Sequence, residues 1–171
     1  MNNIFKIDVD DLTWIKNEDD PSDLCLHGHA IVMIGDEKLE YDATVSATAL
    51  YLLKTLSEEH IIYEENQLLP CCGFTLYAND DLSCVDIIGC PNGIDWTVLH
   101  EGNNVKIILE NKKEVIISLE EYKKEVYKFA DKIEAYYEQY QPKILPDDEV
   151  DRNGYIAFWN EWHRRRNRSN D

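Results

Sequence analysis

The chain has 171 residues, of which 44% are hydrophobic: enough for one sizeable core and too apolar for global disorder. It carries 34 acidic against 17 basic side chains, and a net charge of −17 repels nucleic acid and anionic membrane while steering basic partners inward. No apolar run reaches the roughly 18 residues of a membrane span. The N-terminal MNNIFKIDVDD also lacks the basic segment and apolar core of a secretory leader, so the expectation is one cytoplasmic domain over residues 1–171 with reduced cysteines.

In chain order, residues 3–9 alternate apolar and polar and predict a first strand, with Trp14 and Ile15 extending it or anchoring the turn that follows. The polar stretch NEDDPSD, residues 17–23, reads as a loop. Residues 24–34 predict a strand whose core face is Leu24, Leu26, Ala30, Val32 and Ile34, with Cys25, His27, His29, Ile31 and Met33 opposite. Gly35 to Lys38 is a hairpin turn and residues 39–45 return as a strand. A helix follows, capped by Ser46 or Thr48, with Leu50, Leu52, Leu53 and Leu56 on its apolar stripe and its end near residues 59–60.

After a loop at 63–67, residues 73–78 and 85–88 predict two strands joined through Asn79-Asp80-Asp81, and Pro91-Asn92-Gly93 signals a turn. A meander follows over 94–100, 105–109 and 115–118; its short connections make it antiparallel. Ser118 and Glu121 form a capping-box signature for a long helix from Leu119 to about Tyr140, stopped by Pro142. Its stripe runs through Leu119, Tyr122, Val126, Phe129, Ile133, Tyr136 and Tyr140. Past a short linker, Tyr155, Phe158, Trp159 and Trp162 form the core-facing aromatic stripe of a last helix. The expected class is α+β: a largely antiparallel sheet with a long helix and a C-terminal aromatic helix packed on one face.

Four features carry potential chemistry. CLHGH sets Cys25, His27 and His29 at alternate positions, so on a strand all three share a face, and imidazole with thiolate suits zinc. Cys25 and His29 are roughly 13 Å apart along straight strand, so a tight site needs a ligand from elsewhere. Otherwise this is an ordinary strand face, with Gly28 allowing a neighbour's close approach. In LLPCCGF, the adjacent Cys71 and Cys72 point apart on extended chain, a poor chelate and a poor disulfide. The run His163-Arg164-Arg165-Arg166-Asn167-Arg168 is the one basic cluster, and without residues 163–171 the balance is 13 basic to 33 acidic side chains. It suits a helix C-terminus or pairing with the acidic body better than nucleic acid.

The fourth feature is the set of acidic clusters NEDD, SEEH, YEEN, NDD and PDDEVD. Together with the absence of an enzyme signature, they make the chain resemble bacterial immunity proteins, which neutralise toxin domains of polymorphic and contact-dependent inhibition systems. The resemblance implies a non-enzymatic, acidic binding protein without a cofactor, and carries over no toxin-binding residue. The implied partner is a basic protein, a toxin domain such as a nuclease, whose phosphate-binding lysines and arginines are occluded by carboxylates. Charge density selects Glu18, Asp19, Asp20, Glu58, Glu59, Glu64, Glu65, Asp80 and Asp81 as the candidate contacts. The rival expectation is a small metalloprotein or zinc hydrolase built on His27 and His29 with Cys25.

Overall fold

The computed structural model describes residues 4–72 and 75–167. Among them the chain forms an α+β fold in which every paired strand is antiparallel. Strands β1 (Phe5–Thr13), β2 (His27–Ile34) and β3 (Glu37–Ala43) form one sheet in the order β1-β2-β3. Helix α1 (Val45–Lys54) follows, then the short β4 (Leu69–Pro70), the hairpin β5 (Thr75–Ala78) and β6 (Val85–Ile88), and β7 (Gly93–Ile94), which pairs with β4. The meander β8 (Thr97–Glu101), β9 (Asn104–Ile108) and β10 (Glu114–Ser118) is a second three-stranded sheet, and helices α2 (Leu119–Glu138) and α3 (Glu149–Asn167) complete the chain.

Side-chain alternation decides which face is buried. Along β2, Gly28, Ala30, Val32 and Ile34 are buried while His27, His29, Ile31 and Met33 are half-exposed. On β1 the buried set is Phe5, Ile7 and Val9, opposite Ile34, Val32 and Ala30 in register. The β2–β3 hairpin turns through Gly35, whose φ of 60° lies in the left-handed region that glycine enters without a Cβ penalty. β1 runs past residue 9 because a bulge between Asp10 and Thr13 absorbs the break in alternation, with Asp11 at φ 52°. Trp14 then closes the sheet end, 2% exposed, its ring against Tyr136 and Tyr137 of the last turn of α2 and Tyr140 just past it, and under the Lys143 ammonium at 3.4 Å.

Helix α1 departs from the expectation at both ends. Its N-cap is Thr44, without a side-chain cap bond, rather than Ser46 or Thr48. The Ser46 hydroxyl is engaged elsewhere: it accepts the Leu26 amide at 3.1 Å, so it serves the strand and not the helix end. The helix stops at Lys54, several residues early, because the Thr55 hydroxyl bonds the Leu52 carbonyl at 2.6 Å and the Tyr122 hydroxyl at 2.7 Å. The released chain carries His60 to the meander, where its amide and carbonyl bridge Val98.

Helix α2 begins as its sequence dictates. The Ser118 hydroxyl accepts the Glu121 amide at 3.2 Å and donates to the Glu121 carboxylate at 2.8 Å. The helix lies against β1, β9 and β10, burying Tyr122, Val126, Phe129 and Ile133. α3 packs on the β5–β6 hairpin and buries three residues of the expected stripe, Tyr155, Phe158 and Trp162, while Trp159 is only partly buried, and α1 touches both helices. Buried residues from the sheets and all three helices form one apolar cluster. No described helix is long and apolar enough to cross a membrane.

Candidate functional sites: an acidic cleft and a thiol cluster

Two acidic stretches that are separate in sequence meet at one cavity of about 420 Å³. The turn after α1 supplies Glu58 and Glu59, the loop before β4 supplies Glu64 and Glu65, and β6 adds Asp86. Lys54 and the buried His60 also line it, so five carboxylates face one lysine. The local fold explains the convergence. The early end of α1 frees residues 55–60 to cross to β8, and the His60–Val98 bridge pins the loop that follows. The His60 ring reinforces the crossing, with Nε2 2.7 Å from the Asp95 carboxylate and Nδ1 3.4 Å from Glu65.

The carboxylates of the cleft are not equivalent. Glu58 receives the Arg165 guanidinium at 2.8 Å. Partial burial pushes its pKa up, but the hydrogen bond and charge of Arg165 outweigh this and hold it below its ordinary value. Glu59 accepts the His100 amide at a long 3.4 Å. Glu64, Glu65 and Asp86 are exposed, as are Glu58 and Glu59. A cavity of this charge attracts a lysine or arginine side chain, and its carboxylates offer the planar acceptors a guanidinium binds in pairs.

The remaining acidic candidates lie outside the cleft and have local work. Asp20 accepts the Ser22 hydroxyl at 2.6 Å and amide at 2.9 Å and pairs with Lys16 at 3.2 Å, which together hold its carboxyl down at about 2. Asp19 accepts the Gln141 amide at 3.3 Å, and the Asp20 carbonyl accepts Lys143 Nζ at 3.0 Å, tying the loop to the segment that follows α2. Glu18, beside them, is exposed. Asp81 closes its turn through the Ser83 amide at 3.1 Å and the Ser83 hydroxyl, and Asp80 is exposed next to it. The basic run is also occupied from within. Arg165 reaches buried Glu161 at 2.7 Å, Arg166 holds Asp131 through two bonds of 2.8 and 3.0 Å, and Arg164 donates to the Ser83 carbonyl at 2.7 Å. Arg168 lies outside the described residues.

CLHGH does not come together as one face. β2 starts at His27, so Cys25 precedes the strand and is buried, with burial pushing its thiol up to about 12. His27 and His29 do share the outer face, but His29 Nδ1 meets Asp42 at 2.7 Å and Nε2 meets Glu40 at 3.4 Å, while His27 Nε2 meets the Thr44 hydroxyl at 3.3 Å. Gly28 makes room for β1, though for a side chain more than for backbone: a Cβ there would sit 2.6 Å from the Val9 side chain and 3.3 Å from the Asp10 carbonyl.

Among the described residues, three potential metal ligands converge at one place, Cys71, Cys72 and Cys90, whose sulfurs lie within 4.8 Å of one another. Adjacent cysteines diverge only on extended chain, and here β4 ends at Pro70, so the alternation no longer applies. Cys71 and Cys90 sulfurs are 2.7 Å apart, and the Cys72 sulfur accepts the Cys90 amide at 2.8 Å. Hydrogen bonds from the Cys71 and Cys72 thiols and the Asn92 amide bring the Cys90 thiol down to about 7, and the same contact with Cys90 pushes the Cys71 thiol up to about 11. Cys90 and Asp86 were the site residues that sequence reasoning missed. Asp86 is one acid in an apolar strand, and Cys90 is 18 residues from its partner Cys72. The one signal near Cys90 was the Pro91-Asn92-Gly93 turn.

No family model, no curated protein and no solved structure matches this chain.

Proposed function

We propose that this is a non-enzymatic, cytoplasmic binding protein that takes a basic segment of a partner protein into the cleft of Glu58, Glu59, Glu64, Glu65 and Asp86. In its most concrete form it is an immunity protein that occludes the phosphate-binding cations of a nuclease toxin. The observation that carries the reading is the convergence of two of the four selected acidic clusters on one cavity, with a fifth carboxylate added from β6. The net charge of −17 adds long-range attraction, which raises the encounter rate and makes it sensitive to salt.

The reading is tested by inhibition. A nuclease toxin domain encoded beside this gene is titrated with the protein at low and high salt. Stoichiometric inhibition at low salt, weakened steeply at high salt and weakened again by Glu64→Gln with Asp86→Asn, is the expected result. These two residues line the cleft outside the Glu58–Arg165 pair, which their neutralisation leaves intact. A gene without a toxin neighbour, or inhibition indifferent to salt, overturns the electrostatic occlusion.

A further inference from the structure

We propose that Cys71, Cys72 and Cys90 bind a thiophilic d10 metal ion, Zn²⁺, as three thiolates with a fourth position open to solvent. Three features of the fold build the site. The β4–β7 ribbon pairs Leu69 with Ile94 and Pro70 with Gly93, and the Cys71 amide continues the ladder to the Asn92 carbonyl at 3.0 Å. This register sets the arm carrying Cys71 and Cys72 directly against the arm carrying Cys90. Gly89 lets the two arms close, since a Cβ there would collide with the Cys72 carbonyl. The third feature is the Cys90 amide, which donates to the Cys72 sulfur at 2.8 Å, the kind of outer contact that orients a thiolate and balances its charge.

Three sulfurs within 4.8 Å can surround one ion. Zinc–sulfur bonds of about 2.3 Å in a tetrahedron put sulfurs about 3.8 Å apart. Loading therefore spreads the Cys71 and Cys90 sulfurs, now 2.7 Å apart, by about 1 Å. All three side chains are half-exposed, so an ion has a way in and the fourth position faces water. Binding releases the thiol protons to solvent. A Cys71–Cys90 disulfide is the competing use of the same pair, but it needs two sulfurs and leaves Cys72 without a part. The third sulfur favours the metal.

The experiment is a Co²⁺ titration of the full chain, purified without a histidine tag and kept reduced, followed by Zn²⁺ competition. The expected result is a thiolate-to-cobalt charge-transfer band that saturates at one equivalent and is abolished by Zn²⁺. Cys71→Ser, Cys72→Ser and Cys90→Ser each lose the band while keeping the far-UV dichroism of the parent. Cys25→Ser and Cys84→Ser keep it. A band that does not saturate, or that survives any of the three cluster substitutions, overturns the proposal. So does a chain that, isolated without reductant, has lost two thiols to a Cys71–Cys90 linkage found by peptide mapping and takes up no Co²⁺ after reduction.

Discussion

His27 and His29 sit two residues apart on one strand face in opposite electrostatic settings. The Asp42 hydrogen bond, helped by that of Glu40, raises the His29 pKa above 6.5, while burial lowers that of His27 below 6.5. His29 therefore favours the folded state fully below its unfolded value near 6.5, and that contribution fades as pH rises through its folded pKa. His27 works the other way: its contribution is present above 6.5 and is lost as pH falls through its folded pKa. An NMR titration of the imidazole protons is expected to show His29 titrating above and His27 below that value. Coincident titrations would contradict the geometry. The CLHGH spacing made the shared face of the two histidines legible. It could not show the carboxylates of β3, because register between strands is a tertiary fact.

At the scale of elements, α3 shows how packing overrides propensity. Gly154 lies inside this helix, where alanine ordinarily gains about 1 kcal/mol in helix propensity. Here a Cβ would run into the Leu76 backbone carbonyl of β5, so the glycine is what lets helix and hairpin touch. Gly154→Ala is therefore expected to lower the melting temperature, by calorimetry, where propensity alone predicts a rise. The elements read well from sequence were those with strong local signals: the capping box of α2, the aromatic stripe of α3 and the meander turns. The β4–β7 ribbon was invisible because two-residue strands have no periodicity, and it is this ribbon that builds the thiol cluster. The end of α1 is hidden in the sequence because Leu56 continues the apolar stripe, while the stop comes from Thr55 bonding across to Tyr122.

For the whole molecule, the basic C-terminal run is a clamp on the acidic body. The Arg165 side chain, 6% exposed, bridges Glu161, 1% exposed, to Glu58 on the cleft. Glu161 in turn accepts the Val85 amide of β6 at 2.9 Å, so one network joins α3, the hairpin and the cleft wall. Removing the guanidinium strands a buried carboxylate. Arg165→Met is expected to cost about 3–5 kcal/mol in denaturant unfolding, with part recovered when Glu161→Gln is added. A loss below about 1 kcal/mol would mean the pair is solvent-screened.

The same network ties Glu58 of the cleft to α3 and the hairpin, and the proposed role of the cleft is to receive cations. The most direct measurement is amide shift mapping of the ¹⁵N-labelled chain with an arginine-rich peptide, at low salt and then at high salt. Cation binding in the cleft is expected to give shifts concentrated at residues 58–66 and Asp86 that disappear as salt rises. Shifts centred on Asp19-Asp20 or Asp80-Asp81, spread evenly over the acidic surface, or unchanged by salt would contradict it.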